Sequence, residues 1–269
     1  MSLTAFQKDV LRLLATSRLK MEGAYVAGGT ALNLATEGRR LSRDVDLFHD
    51  SGEALVQCWR LDQKLLLGAG YDVDILRERP TFVEAMISRD RERTAVQWVV
   101  DSACRYFPLR RDPLLGATLH PVDLATNKIL ALVGRHEVRD WVDTIQAAGH
   151  VQPLALLLWA AVGKDPGYSV DSLFAAVSRA RFSAFELSTL DFEPPRPDFA
   201  VLSRTWRGML AEVRPVIDLL PTEKTGTCVC CADGRPFGGA GPSLEALARF
   251  GGLTFRPPSI RGTWPEMVG

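Results

Sequence analysis

No stretch of this sequence stays apolar long enough to cross a bilayer. The most apolar run, residues 154–162, falls far short of the roughly 20 residues a spanning helix needs. Neither sign of charge is in excess, because 32 Lys and Arg meet 32 Asp and Glu. That balance removes the global basic field expected of a tight, nonspecific nucleic-acid binder and leaves room only for a local basic patch. Cysteine is scarce and odd in number, five in 269 residues, so a disulfide framework is not expected and a reducing cytoplasm is. Three of the five crowd into Cys228-Val229-Cys230-Cys231 with no histidine after them. The adjacent pair is an awkward zinc spacing, so free thiols are the expectation there. No internal repeat is visible. The first twenty residues carry Lys8, Asp9, Arg12 and Arg18 at amphipathic spacing, which reads as a helix rather than a signal peptide.

Phe6, Val10, Leu13 and Leu14 recur at helical spacing and predict a helix over 4–18. Residues 24–27 predict a short buried strand running into Gly28-Gly29-Thr30, with helix formers from Ala31 to Thr36. The glycines therefore sit at a strand-to-helix turn. Residues 44–48 alternate strictly, Val45 and Leu47 to one side and Asp44 and Asp46 to the other. A helix follows over 53–67, ended by the glycines at 68 and 70. Three β-rich runs, 71–76, 81–88 and 94–101, come next, the last two joined by a charged turn that implies an antiparallel hairpin. From Pro121 the period turns helical, with candidates at 121–133, 139–148, 153–162, 169–178 and 198–220. A sheet-bearing first half and a helical second half give an α+β class. The expected division is 1–150 as a catalytic core, 151–220 as a helical domain and 221–269 as an irregular Gly-, Pro- and Cys-rich tail with one helical pattern at 243–250.

Two carboxylates at i and i+2 on a strand face the same way and repel, an arrangement that a divalent cation relieves. Mg²⁺ takes one or two carboxylates and completes its shell with water and phosphate oxygens. Asp44-Val45-Asp46 fits that use, although an isolated Asp-x-Asp is usually an exposed strand face. Gly28-Gly29-Thr30 lets backbone approach phosphate at a helix N-terminus, although a glycine pair is usually a tight turn with a cap. A phosphate cradle about fifteen residues ahead of a carboxylate pair, with a short helix between, is far more specific than either alone.

Two stretches carry a resemblance. Gly28-Gly29-Thr30-Ala31-Leu32-Asn33-Leu34, then Arg40-Leu41-Ser42-Arg43-Asp44-Val45-Asp46-Leu47-Phe48, resembles the first motif of the AbiEii/AbiGii toxin family. Those proteins belong to the DNA polymerase β-like nucleotidyltransferase superfamily. Lys128-Ile129-Leu130-Ala131-Leu132, Arg135, and Arg139-Asp140-Trp141-Val142-Asp143 resemble its later motif in order and spacing. The resemblance implies a four- or five-stranded mixed sheet flanked by helices, followed by a helical domain. It also implies two Mg²⁺ ions, a nucleoside triphosphate as substrate, tRNA as acceptor at its 3′ end and a cognate antitoxin, while the lack of a long apolar run leaves no membrane partner expected.

On that footing Asp44 and Asp46 hold metal, while Gly28, Gly29, Thr30 and Arg40 contact the nucleotide. Lys128 reaches the triphosphate as a point charge, with a solvated helix-face lysine as the bland alternative. Asp140 orients Lys128 or Arg135, or touches nucleotide; Asp143 reads as structural. Polymerase β-like enzymes usually add a third carboxylate from a neighbouring strand, and Asp101, ending the 96–100 run, is the candidate for both metal and proton acceptance. Asp72 and Asp74 form a competing Asp-x-Asp that no glycine turn supports. Arg39 and Arg43 divide evenly between phosphate contacts and solvated loop charges. His49, a lone histidine after the Asp strand, reads as structural. The competing functions are transfer to a small molecule such as an aminoglycoside, and a nucleotide-binding module without transfer.

Overall fold

In the computed structural model the described residues are 3–239, 241–249 and 251–263. By contacts the chain divides at His120/Pro121 into two compact units, with the segment from Ile260 rejoining the first. The sequence reading placed its boundaries at 150 and 220.

The first unit runs α1 (Ala5–Arg18), β1 (Ala24–Val26), α2 (Gly28–Ala35), β2 (Asp44–His49), α3 (Gly52–Gly68), β3 (Asp72–Arg79), β4 (Phe82–Arg89), β5 (Glu92–Val100), β6 (Cys104–Arg105), β7 (Arg110–Asp112) and β8 (Gly116–Thr118). Seven of the strands make one mixed sheet in the order β3-β4-β5-β2-β1-β8-β7. That exceeds the four or five expected, because β7 and β8 span three residues each and are too short to show a period. β2 runs parallel to β5 and antiparallel to β1, and the expected β4–β5 hairpin is present with Arg89 paired to Glu92.

One face of this sheet is the core. Val45, Leu47, Val96, Trp98, Ala85 and Ile87 are fully buried on it, and α1 and α3 pack against it. Trp59 of α3 meets Trp98 edge-on at 4.6 Å. The carboxylate buried there is well supplied with donors, whereas Arg18 Nε and Nη1 are buried without a hydrogen-bond partner. Asp62 of α3 accepts from Ser17 Oγ at 2.6 Å, Trp98 Nε1 at 2.9 Å and Arg18 Nη2 at 3.3 Å. α1 begins in a capping box between Thr4 and Gln7. The buried Gln7 amide also donates to the Ser42 carbonyl at 3.0 Å and to Thr94 Oγ1 at 3.3 Å, fixing the loop that leads into β2.

The second unit holds α4 (Pro121–Arg135), α5 (Val138–His150), α6 (Leu154–Ala161), α7 (Val170–Ser178), α8 (Ala184–Ser188), α9 (Phe199–Ala211), α10 (Val213–Ile217), β9 (Cys228–Cys231), α11 (Gly241–Arg249) and β10 (Leu253–Arg256). α6, the most apolar run of the sequence, is buried on every side against α4, α10 and β9. Among the described residues no helix is long and apolar enough to cross a membrane. The single helix expected over 198–220 is two, α9 and α10, broken at Glu212. Pro215 lacks the N–H that would continue the ladder.

The stretch after Pro221, expected to be irregular, supplies part of this unit's core. β9 pairs antiparallel with β10, its Cys228, Val229 and Cys230 are buried, and the Gln152 amide donates to the carbonyls of Val229 and Phe237 at 2.9 Å each. A continuous short apolar run, buried on both faces, suits a short buried strand better than a loop. All five cysteines are free thiols.

Candidate active site

The face of the sheet opposite α1 and α3 carries the carboxylates. Along β2 burial alternates, with Val45, Leu47 and His49 inside and Asp44, Asp46 and Phe48 half-buried on the other side. Ser42 Oγ lies 3.4 Å from Asp44 Oδ1. α2 begins at Gly28 itself, so the glycines form the helix's first turn rather than a loop ahead of it. Gly28 has φ +67°, in the left-handed region that a side chain disfavours, and a Cβ there would run into Asp46 Oδ2. The chain thus brings Gly28 and the Asp46 carboxylate into direct contact, and only glycine permits it.

Thr30 is fully buried, and its hydroxyl donates to the Asp44 carbonyl at 3.3 Å, so it ties α2 to β2. Asn33 is buried and donates to the Gly29 carbonyl at 2.8 Å. Arg40 is buried, with Nη1 3.3 Å from the Leu41 carbonyl, whereas Arg39 and Arg43 are exposed. Glycine contact, helix start and carboxylate pair are therefore brought together; Thr30 stands behind them as a brace.

Asp101 is not brought beside Asp46. The β2–β5 register sets Asp46 level with Gln97, and Asp101 follows four residues later, about 13 Å along an extended chain. Its carboxylate accepts from the Ser102 N–H at 2.7 Å. Its charge acts on Tyr25, whose hydroxyl is held above the ordinary range first by burial and next by Asp101. The position beside Asp46 belongs to a neutral amide. Gln97 Nε2 donates to Glu84 Oε1 of β4 at 3.0 Å, and Arg77 Nε of β3 lies 3.6 Å from Glu84 Oε2. This row is invisible to alternation alone, since it depends on how β5 is registered against β2.

Asp72 and Asp74 lie on β3 at the sheet's edge and are exposed, away from any glycine-led helix. His49 is fully buried, and its pKa is lowered to about 4 by burial and by the nearby Arg18 charge. Among the described residues no three His, Cys, Asp or Glu side chains cluster as a metal site. Asp44 and Asp46 are the two carboxylates that could share a cation on this face, a donor set of the size Mg²⁺ accepts when phosphates and water complete its shell.

The later motif lies in the second unit and forms a network of its own. Lys128 of α4 is 2.9 Å from Asp140 Oδ1 and 3.0 Å from Asp143 Oδ2 of α5, and both carboxylates are fully buried. Arg135 grips Asp140 with Nε at 2.6 Å and Nη2 at 2.8 Å. Burial alone would raise the Asp140 pKa, yet the hydrogen bonds and charges of Arg135 and Lys128 prevail and hold it below the ordinary carboxylate value. A further buried pair on α4 joins Asp123 to Lys164 at 2.8 Å.

No family model matches the sequence and no curated protein is similar to it. Solved structures are similar. MenT4, a nucleotidyltransferase toxin from Mycobacterium tuberculosis H37Rv, superposes with a TM-score of 0.54 at 16% identity, covering 81% of this chain and 83% of its own. JHP933 from Helicobacter pylori aligns at a TM-score of 0.47 and 17% identity over 79% of this chain and 95% of its own. The Megavirus polyadenylate synthase aligns at 0.39 and 12%, over 60% of this chain and 38% of its own. The fold is that of the nucleotidyltransferase toxin MenT4: a mixed sheet flanked by helices with a helical unit after it.

Proposed function

We propose that this chain is a Mg²⁺-dependent nucleotidyltransferase that moves a nucleoside monophosphate from a triphosphate to an RNA acceptor, foremost a tRNA 3′ end, and releases pyrophosphate. It acts in the cytoplasm as a toxin held in check by a cognate antitoxin. The observation that carries the reading is the contact between Gly28 and the Asp46 carboxylate, with Asp44 on the same face of β2. A phosphate cradle and a metal-binding pair are there one structure rather than two motifs.

Asp44 and Asp46 hold Mg²⁺, which when bound neutralises charge on the triphosphate and on the departing pyrophosphate. Gly28 and Gly29 let the backbone N–H groups at the start of α2 approach phosphate oxygens, where the helix dipole favours negative charge. Thr30 keeps α2 and β2 in fixed relation through the Asp44 carbonyl. The motif would give Lys128 a nucleotide contact, but its ammonium lies between Asp140 and Asp143 at 2.9 and 3.0 Å, which supports a positioning role within the second unit instead. The balanced net charge favours one alternative acceptor, a small molecule in place of RNA.

Purified protein and its Asp46→Ala variant, incubated with Mg²⁺, each α-labelled triphosphate and total tRNA, decide the matter. Label on RNA with the wild type and none with the variant is the expected result. Label on a small acceptor alone moves the activity to the alternative. Triphosphate binding without transfer to any acceptor leaves a binding module, and no triphosphate binding overturns the reading altogether.

A further inference from the structure

The two edges of the seven-stranded sheet are unlike. β7 is three residues long, a short edge of the kind that resists further pairing, whereas β3 runs for eight residues, Asp72–Arg79. β3 contains no proline and no lysine. It also exposes two large apolar side chains at its centre, Ile75 at 41% and Leu76 at 48%.

Its charges are ordered. Asp72 and Asp74 occupy the first half and Arg77 and Arg79 the second, with Glu78 between the two bases on the opposite face. In an unbroken strand the two acids would face one way and the two bases the other, since alternation separates even from odd positions. A bulge between Ile75 and Arg77 changes that. Across β3 and β4, Asp72, Asp74, Arg77 and Arg79 pair with Ser88, Met86, Glu84 and Phe82, positions that alternate by two along β4 and therefore share a face. The bulge, which on many edges serves to blunt pairing, here gathers four charges of ordered sign onto one side.

We propose that β3 is a self-association surface on which a second copy of this chain adds its own β3 antiparallel about a two-fold axis. In that pairing Asp72 opposes Arg79 of the second copy, Asp74 opposes Arg77, and Ile75 meets Leu76 at the centre, each contact made twice by symmetry. A parallel pairing would set acid against acid and base against base, which disfavours it. Among the described residues no strand pairs with the outer edge of β3, and that edge supplies the backbone hydrogen bonds. Two opposed bulges interrupt the ladder at its middle, so the flanks of three residues each carry it. Arg77 keeps its side chain 69% exposed while touching Glu84, so it remains within reach of a partner. Exposed ion pairs contribute little singly and are screened by salt. One strand pair is also small beside a standard interface, so the dimer is weak and salt-sensitive.

The test is sedimentation velocity of the full chain across the micromolar range, with two charge variants. Arg77→Glu with Arg79→Glu makes that face of the strand wholly acidic, and Asp72→Arg with Asp74→Arg makes it wholly basic. The wild type is expected to dimerise as concentration rises and to dissociate as salt rises. Each variant alone is expected to stay monomeric, and an equimolar mixture of the two is expected to restore the dimer. Restoration on mixing cannot come from misfolded protein, and Ile75→Lys, with a wild-type melting curve, should weaken the dimer without any charge swap. A wild type that stays monomeric throughout, variants that each dimerise alone, or a mixture that stays monomeric overturns the proposal.

Discussion

Each unit of the molecule carries a close pair of aspartates, and the two pairs are surrounded in opposite ways. Asp140 and Asp143 on α5 are fully buried and ion-paired to Lys128 at 2.9 and 3.0 Å, with Arg135 closing on Asp140 as well. Two acids and two bases balance there, and the network joins α4 to α5. Asp44 and Asp46 on β2 are half-buried, point to the side of the sheet that α1 and α3 leave, and have a glycine-started helix set against them. Like charges repel less when solvent or a cation can reach them, so a pair kept within reach of solvent is one a ligand can use. Spacing in the sequence therefore does not say which acids are committed to structure. Burial and partners do.

Removing Lys128 should sharpen this contrast most. Lys128→Met leaves two buried carboxylates with one cation fewer, and losing one partner of a buried pair costs about 3–5 kcal/mol. Urea unfolding should report that loss, and hydrogen exchange should place it in α4 and α5 rather than in β2 and β5. A Lys128→Met protein as stable as the wild type would break the comparison, because the network would not be holding the helices.

Acid should separate the units by the pH at which each weakens. The folded pKa of His49, about 4, lies below its ordinary 6.5. The unfolded chain therefore binds more protons between those values, and first-unit stability falls as pH drops from about 6.5 to 4 by on the order of 3 kcal/mol. Asp140 is shifted downward from 3.8, so its contribution is present above the ordinary carboxylate value and is lost only as pH falls through its lower folded value. Hydrogen exchange at stepped pH should show β2 and β5 loosening before α4 and α5. His49→Asn should flatten the first trend and leave the second.

Gly28→Ala is the smallest and most local change. The left-handed conformation costs a side chain about 1–2 kcal/mol, and the added carbon displaces the Asp46 carboxylate. A modest drop in melting temperature with a far larger drop in transfer is expected. Equal activity would mean that the glycine is only a turn.

Most elements were legible because their burial is one-sided. The alternation of 44–48 gave β2 and its two faces, and helical periods gave α1, α3 and most of the second unit. What the residues withheld was long-range. β7 and β8 exist only as additions to a sheet edge, and Pro215 shortened a helix whose apolar period runs through it. β9 is a strand because α6 lies beneath it. The same holds at the site. Asp44, Asp46 and Gly28 were readable as a local constellation, whereas the level placement of Gln97 beside Asp46, and of Asp101 beyond it, follows from a parallel register that no single strand encodes. Thr30 looked available for phosphate and is buried as a brace, since its hydroxyl finds a carbonyl on the next strand.

Mn²⁺ titration followed by electron paramagnetic resonance tests Asp44 and Asp46 as a cation site without any assay of transfer. Wild type and Asp46→Asn would be titrated side by side, with melting curves to show both folded. A saturable Mn²⁺ site is expected in the wild type, one that competes with Mg²⁺ and weakens at least about tenfold in Asp46→Asn, direct ligands mattering no less than the supporting residues around them. Equal Mn²⁺ affinity in the two proteins would contradict it.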